Sequence, residues 1–391
     1  MTLPPSLSWI DDEIVKRQAA GLWRKMRCRQ SPHVGGLVHI DGKTLIDFSS
    51  NDYLSLAADG RIIDAVRRAV GACGWGSGAS PLVSGYGVWH ARLEQELAEF
   101  EGTEASLVFP SGYAANLATI NSLVDRSDLI LSDALNHASI IDACRLSRAE
   151  TAVYRHADTE HVGELLTARR HDFRRVLIVT DSVFSMDGDL APLPQLVELA
   201  EEYNAMLVID EAHATGVFGP SGRGVAEWFG LEHRIPLRVG TLSKSLGSIG
   251  GFVCGPRSLV DWIRNRGRTQ IYSTAMPEAA AAASAEALRI ARAEPHRRER
   301  LWQNVRTLEK LLKDHRVSTS LTSPIVPIIL GESRRALDAA QSMAERGILA
   351  PVIREPTVPP GTARLRISLC HDHTEAQLEE LCQALADVVL T

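Results

Sequence analysis

The sequence predicts an α/β protein: a mostly parallel central sheet with helices on both faces, and a smaller C-terminal α+β domain. Three observations predict it. Short apolar runs alternate with helix-length stretches between about residues 60 and 255, the pattern of strands buried on both faces and joined by crossover helices. A long helix-like region from Pro277 to Asp314 then carries no strand pattern. Ser323 to Thr391 finally mixes strand and helix patterns in a small module. The expected partition is an N-terminal arm and hairpin over 1–50, a large domain over 51–291 and a C-terminal domain over 292–391.

In chain order, Asp11 to Arg29 has helical spacing and many charges, and reads as an amphipathic arm. Gly36 to Phe48 reads as a β-hairpin turning at Asp41-Gly42, a pair suited to turns that require positive φ. Ser49 to Leu54 follows as a loop. Helices are expected at Arg61–Ala72, Val88–Phe100 and Tyr113–Leu123. Strands are expected at Ala105–Phe109, Leu129–Leu131, Val176–Thr180, Met206–Ile209, Arg238–Thr241 and Phe252–Cys254. In the C-terminal stretch, strands are expected at Ile325–Leu330 and Ala363–Leu369, with helices at Ser333–Arg346 and Thr374–Leu390. Ala279 to Ala287 reads as a packed helix. Sheets of this kind bind ligands at the carboxyl ends of their strands. The residues just after each apolar run therefore carry the functional argument.

Composition narrows the function classes. The chain has 391 residues, 45% hydrophobic and 23% charged, ordinary values for a globular protein. A formal charge of −6 offers no basic field for nucleic acid. The six cysteines are scattered and form no Cys-x-x-Cys pair, which points to a reducing compartment; the cytoplasm is the expected location. Met1 to Ile14 shows no basic region leading into an apolar stretch, so no signal peptide is expected. No apolar run approaches membrane-spanning length.

One pairing stands out. Asp210 closes the apolar run of Met206-Leu-Val-Ile-Asp-Glu-Ala-His-Ala-Thr-Gly216, and Lys244 lies 34 residues later in Gly240-Thr-Leu-Ser-Lys-Ser-Leu-Gly-Ser-Ile-Gly-Gly251. Pyridoxal phosphate chemistry needs these parts. A lysine must condense with the cofactor aldehyde, and a carboxylate must hold the pyridine nitrogen protonated. Hydroxyls and backbone N–H groups beside the lysine suit a phosphate dianion. Alone, a lysine between serines reads as a solvated cation, and an acid after a strand as a cap. Their order, with His213 three residues past Asp210, favours a cofactor site.

Other segments add candidates. Ser111-Gly-Tyr-Ala-Ala-Asn116 follows a strand pattern and opens a helix, so Gly112 and Tyr113 are placed to bind phosphate; the alternative is an ordinary strand-to-helix turn. His137 follows the Leu129–Leu131 run, where a flat imidazole suits stacking on a ring, against a structural hydrogen-bonder as the alternative. Ser185, in Asp181-Ser-Val-Phe-Ser-Met-Asp-Gly-Asp189, suits a donor to the cofactor ring oxygen. The acids there do not match the spacing of a calcium loop. His371-Asp-His373 lacks further zinc ligands at familiar spacing and reads as a surface loop. Arg364 and Arg366 share one strand face, suited to a substrate carboxylate, or are two surface arginines on an edge strand.

Taken together, several strings in this order resemble the α-oxoamine synthases. They are Phe48-Ser-Ser-Asn-Asp-Tyr-Leu54, Gly76-Ser-Gly78, Val83-Ser-Gly-Tyr86, His137-Ala-Ser139, Phe184-Ser-Met-Asp-Gly-Asp189, Tyr272-Ser-Thr-Ala-Met-Pro277 and Pro356-Thr-Val-Pro359. These are fold-type-I pyridoxal phosphate enzymes that join an amino acid to an acyl thioester and lose CO2. The resemblance runs from about residue 45 to 370. It implies that Lys244 holds the cofactor and moves the α-proton. It further implies that Asp210 pairs with the pyridinium, that His213 and Ser185 reach the ring hydroxyl, and that His137 stacks on the ring. Gly112, Tyr113 and Thr241 would bind phosphate, joined by Ser273 and Thr274 from the partner subunit of a homodimer. Arg366 would take the amino-acid carboxylate, and Asn51 and Thr357 would line the substrate site. Arg24, with Arg27 as a near alternative, would contact the acyl substrate. The implied substrates are L-alanine and a pimeloyl thioester, carried on CoA or acyl carrier protein. A sibling synthase using glycine or serine, a same-fold aminotransferase and a non-catalytic subunit on this fold are the rival readings.

Overall fold

The computed structural model describes residues 4–317, 319 and 321–389. By where its contacts fall, the chain divides into two compact units. One contains residues 51–303 and 322–324; the other contains 1–50, 304–321 and 325–391. The first fifty residues thus group with the C-terminal stretch, where the sequence alone suggests a separate arm.

The larger unit is built on a seven-stranded sheet. Its order is Ala105–Phe109, Gly251–Gly255, Leu237–Thr241, Met206–Asp210, Val176–Asp181, Leu129–Asp133, Glu150–Tyr154. Five neighbouring strands run parallel, and only Gly251–Gly255 runs against its two neighbours. The inner strands are mostly apolar because both faces are covered; their polar residues fall mainly at the carboxyl ends, with Arg238 the buried exception. Every residue of Leu129–Asp133, Val176–Asp181 and Leu237–Thr241 is buried. Helices Gly60–Cys73, Val88–Glu101, Gly112–Leu123 and Ala138–Ser147 agree with the expected pattern or, for the last, fill the crossover between strands.

The sequence pattern did not reveal the edge strand Glu150–Tyr154. Glu150, Thr151 and Val153 are exposed and the first two are polar, so it lacks the continuous apolar run that marks its neighbours. The single helical region expected from Pro277 to Asp314 is two helices, Glu278–Ala293 and His296–Asp314. Pro295 separates them: it has no N–H to donate, and Glu294 before it leaves the helical region at φ −122°, ψ 64°. The alanine run is packed as expected, with Ala281, Ala282 and Ser284 buried.

In the smaller unit the arm helix spans only Trp9–Ala19, not Asp11 to Arg29. Gly21 follows in the left-handed region at φ 67°, which stops the helix. The hairpin is Leu37–Ile40 with Lys43–Asp47, and its turn residues Asp41 and Gly42 both have positive φ, 51° and 76°. Ile348–Leu349 adds a third, parallel strand. A second sheet places Ala363–Ser368 between Ile325–Gly331 and Val352–Ile353. Helices Ser333–Glu345 and Glu375–Val389 complete the unit; Leu390, where the last helix was expected to end, lies outside the described residues. Among the described residues no helix is long and apolar enough to cross a membrane.

Candidate active site

Three adjacent parallel strands of the large unit end in Asp181, Asp210 and Thr241. Asp181 and Asp210 are register partners, so two buried carboxyl groups sit side by side at the carboxyl edge. Each Asp210 oxygen has a fixed donor: the Ala212 N–H reaches Oδ1 at 2.8 Å, and Asn116 Nδ2 reaches Oδ2 at 2.6 Å. Asp181 Oδ2 accepts from the His137 main-chain N–H at 2.6 Å. Burial, then the neighbouring Asp210 charge, push Asp181 well above the usual carboxylate range, although Lys244 pulls the other way. Asp181 thus suits the protonated member of the pair.

His137 is the N-cap of helix Ala138–Ser147 and is exposed at the surface, while its neighbours Asn136 and Ser139 are buried. Desolvation lowers its pKa; Asp210 raises it and Lys244 lowers it again, so both charges act on the ring. Lys244 lies in the turn after Leu237–Thr241. Its carbonyl accepts from the Gly247 N–H at 2.8 Å, and the next residue, Ser245, donates to the Thr215 carbonyl. That bond ties the lysine turn to the segment bearing His213. The structure therefore brings Lys244, Asp210, Asp181 and His137 into one electrostatic cluster.

His213 is buried, and its Nδ1 lies 2.7 Å from the Tyr53 hydroxyl. Tyr53 Oη also reaches Asn51 Oδ1 at 3.4 Å, so two expected site residues are linked through one that the sequence reading did not single out. Ser185 sits in a tight loop closed by the bridge Val183–Leu190 and by bonds between Phe184 and Asp189 and between Gly188 and Phe184. His156 clamps this loop. Its Nδ1 meets Asp133 at 2.9 Å, its Nε2 meets Asp189 at 2.8 Å, and its ring stands edge-on to Phe184 at 4.4 Å. Burial alone would lower His156, but the two carboxylates hold its pKa up to about 10.

Gly112 and Tyr113 open helix Gly112–Leu123, and Ser111 caps it by accepting from the Ala114 N–H at 3.1 Å. The cap leaves the first N–H groups facing the strand ends. A side-chain carbon on Gly112 would lie 3.5 Å from Thr241, so helix end and hydroxyl are neighbours. The approach is close because Gly251 carries no side chain: a Cβ there would run into Gly112 N at 2.5 Å. Thr241 Oγ1 donates to the Gly250 carbonyl at 2.8 Å. Thr269 Oγ1 donates to the Ala114 carbonyl at 2.6 Å, which anchors the short helix Arg268–Ile271 just before Ser273 and Thr274. Ser273 Oγ reaches the Thr274 carbonyl at 3.4 Å.

The remaining candidates lie in the smaller unit. Arg366 is buried and its Nη1 donates to Ser368 Oγ at 2.7 Å. Arg364 is buried too. Their strand is the middle one of its sheet, which overturns the reading of two surface arginines on an edge strand. Thr357 is exposed, with its N–H bonded to the Arg354 carbonyl at 3.0 Å. Arg24 Nη2 donates to the Glu355 carbonyl at 3.0 Å, near Thr357 in sequence, whereas Arg27 pairs with Asp41 at the hairpin tip, 2.9 Å away. His373 is not on the surface, as the loop reading expected. It is buried, takes the Cys370 N–H on Nδ1 at 3.0 Å and places Nε2 3.1 Å from the Asp47 carbonyl.

Four residues of consequence were not singled out by the sequence reading: Asn116, Asp181, Tyr53 and His156. Asn116 had a signal, since it stands one helical turn past Gly112 and so faces the same way. The residues fit pyridoxal phosphate. A buried carboxylate with one donor per oxygen is ready for a ring N–H, a helix end and a threonine hydroxyl adjoin the strand ends, and the Lys244 charge reaches Asp181 and His137.

Comparison with known proteins agrees. The aminotransferase class I and II family matches residues 43–385. The 8-amino-7-oxononanoate synthase of Thermoanaerobacter pseudethanolicus is 43% identical over 98% of this chain and 97% of its own length. That of Anaeromyxobacter dehalogenans is 45% identical over 98% of this chain and 96% of its own. Among solved structures, serine palmitoyltransferase from S. paucimobilis, with bound PLP, superposes with a TM-score of 0.93 at 32% identity, covering 99% of this chain and 98% of that one.

Proposed function

We propose that this chain, which belongs to the aminotransferase class I and II family, joins L-alanine to a pimeloyl thioester with loss of CO2 and of the carrier thiol, giving 8-amino-7-oxononanoate for biotin biosynthesis. One observation carries the reading. Asp210, Lys244 and His137 form one electrostatic cluster at the strand ends, built on the buried Asp210 carboxylate, in a chain 43–45% identical over nearly its full length to synthases of that product.

Bound pyridoxal phosphate supplies an electron sink for the carbanion formed at the amino-acid α-carbon. The protein's residues do the rest. Asp210 keeps a proton on the ring nitrogen, its own oxygens held by Asn116 and Ala212. Gly112, Tyr113 and Thr241 bind the phosphate through the helix end and a hydroxyl. His213 and Ser185 donate to the ring oxygen, steadied by Tyr53 and by the His156 clamp. His137 packs against the ring face. Lys244 Nζ anchors the cofactor, takes the α-proton from alanine and returns a proton after CO2 has left. Arg366 would take the alanine carboxylate, Asn51 and Thr357 would line the substrate site, and Arg24 would contact the acyl substrate.

The protein acts as a homodimer in which Ser273 and Thr274 complete the partner's phosphate site, with the thioester supplied by CoA or acyl carrier protein. The six scattered cysteines fit a reducing cytoplasm. The structural likeness to a serine palmitoyltransferase favours one rival, a sibling using serine and a longer acyl-CoA. A matrix of L-alanine, glycine and L-serine against pimeloyl-CoA, pimeloyl acyl carrier protein and palmitoyl-CoA, read as released thiol, separates them. Fastest release with alanine and a pimeloyl thioester is expected. Fastest release with serine and palmitoyl-CoA would assign the sibling.

A further inference from the structure

Asp210 and His137 are joined by a continuous hydrogen-bonded path through two buried side chains. Asn116 Nδ2 donates to Asp210 Oδ2 at 2.6 Å and to Ser139 Oγ at 2.9 Å, and Ser139 Oγ lies 2.7 Å from His137 Nδ1. Asn116 is 1% exposed and Ser139 is fully buried. We infer that Asn116 is a positioning residue: it aligns the Asp210 carboxylate and, through Ser139, dictates which nitrogen of His137 carries the ring proton.

The argument is one of donors and acceptors. An ionised carboxylate only accepts, so the Asn116 atom facing Asp210 is its NH2 group and not its carbonyl oxygen. That group has two protons, one for Asp210 and one for Ser139. Ser139 Oγ, having accepted from Asn116, turns its own proton toward His137 Nδ1. The Ser139 main-chain N–H points at the same nitrogen from 3.2 Å. Nδ1 thus faces two donors and carries no proton. With Nδ1 taken by these two donors, the proton of the neutral ring is on Nε2, and the lowered His137 pKa favours that neutral form. Asn116 Oδ1, meanwhile, is buried without a partner among the described residues. The amide leaves its acceptor unsatisfied in order to give both protons in these directions.

The inference rests on the proposed reaction for its consequence but not for its test. Full-length, cofactor-loaded protein with 15N-labelled histidine is examined by NMR, the His137 signals being identified by their loss in His137→Gln. The expected result is a bare Nδ1 and a protonated Nε2. In Asn116→Ala, which removes no atom touching His137, the Nδ1 resonance should shift toward the protonated form. Ser139→Ala, a smaller change that keeps the fold, should shift it the same way. In turnover, each variant should lose about tenfold in kcat with little change in KM for the amino acid, the signature of a misaligned reacting group and not of weakened binding. Because they act along one path, the double variant should lose no more than the worse single. A protonated Nδ1 in the unaltered protein, a His137 signal indifferent to Asn116→Ala, or additive losses in the double variant would each overturn the inference. If the tautomer is as described but no substrate pair turns over, the proposed reaction fails and the coupling stands.

Discussion

The Tyr53 hydroxyl lies 2.7 Å from Nδ1 of His213, a bond across 160 residues of sequence that fixes one ring-oxygen candidate from the far side. Tyr53 is 1% exposed and its ring meets His213 edge-on at 6.1 Å. Tyr53→Phe keeps the ring and removes the bond, worth about 1 kcal/mol. A Tm lowered by about 2–4 °C is expected for a unit of this size, together with weaker cofactor binding. Calorimetry and a cofactor titration check both. An unchanged Tm and affinity would mean the hydroxyl holds nothing in place.

Asp210→Asn preserves shape but removes the charge that keeps a proton on the ring nitrogen. Loss of a preorganised electrostatic partner costs about 3 kcal/mol in the barrier, or about a hundredfold in kcat. Steady-state rates measure it, with circular dichroism to show an intact fold. Turnover near that of the unaltered protein would remove Asp210 from the mechanism.

The His156 clamp makes stability depend on pH. Its pKa is raised from 6.5 to about 10, so the folded protein binds this proton more tightly than the unfolded chain does. The clamp's contribution is therefore complete below about 6.5 and is lost as pH rises toward about 10. His156→Gln should lower Tm most at the acid end of that window, and the gap from the unaltered protein should close on the alkaline side. Thermal melts of both proteins across the window test this. A gap independent of pH would show that the ring acts by shape alone.

Shared active sites predict complementation. Lys244→Ala chains and Ser273→Ala/Thr274→Ala chains, each inactive alone, should form mixed dimers with one intact site. Activity regained after proven subunit exchange is expected. No recovery in proven mixed dimers would mean that each chain builds its own phosphate site.

The sheet was legible because its inner strands are buried on both faces and spell out apolar runs, each ended by a polar residue at the carboxyl edge. Asp210 and the Gly112 helix end were singled out that way, whereas Thr241 came only with the family resemblance. The edge strand Glu150–Tyr154 was not, since exposure on its outer side lets polar residues in. Pro295 was a readable helix break that periodicity across the alanine run masked. Asn116, Asp181, Tyr53 and His156 act through partners 23 to 160 residues away, and no local pattern records such pairings. Ser185 and His137 were legible as residues, while what steadies them was not.

The most direct test of the central claim is the fate of the alanine carboxylate. With L-alanine labelled in its carboxyl carbon and pimeloyl-CoA, labelled CO2 and free thiol are measured together, and the product is weighed by mass spectrometry. The account predicts one CO2 per thiol and a product of the mass of 8-amino-7-oxononanoate, free of label. Thiol release with the label retained in the product, or pyruvate formed from alanine with no thiol released, would contradict it.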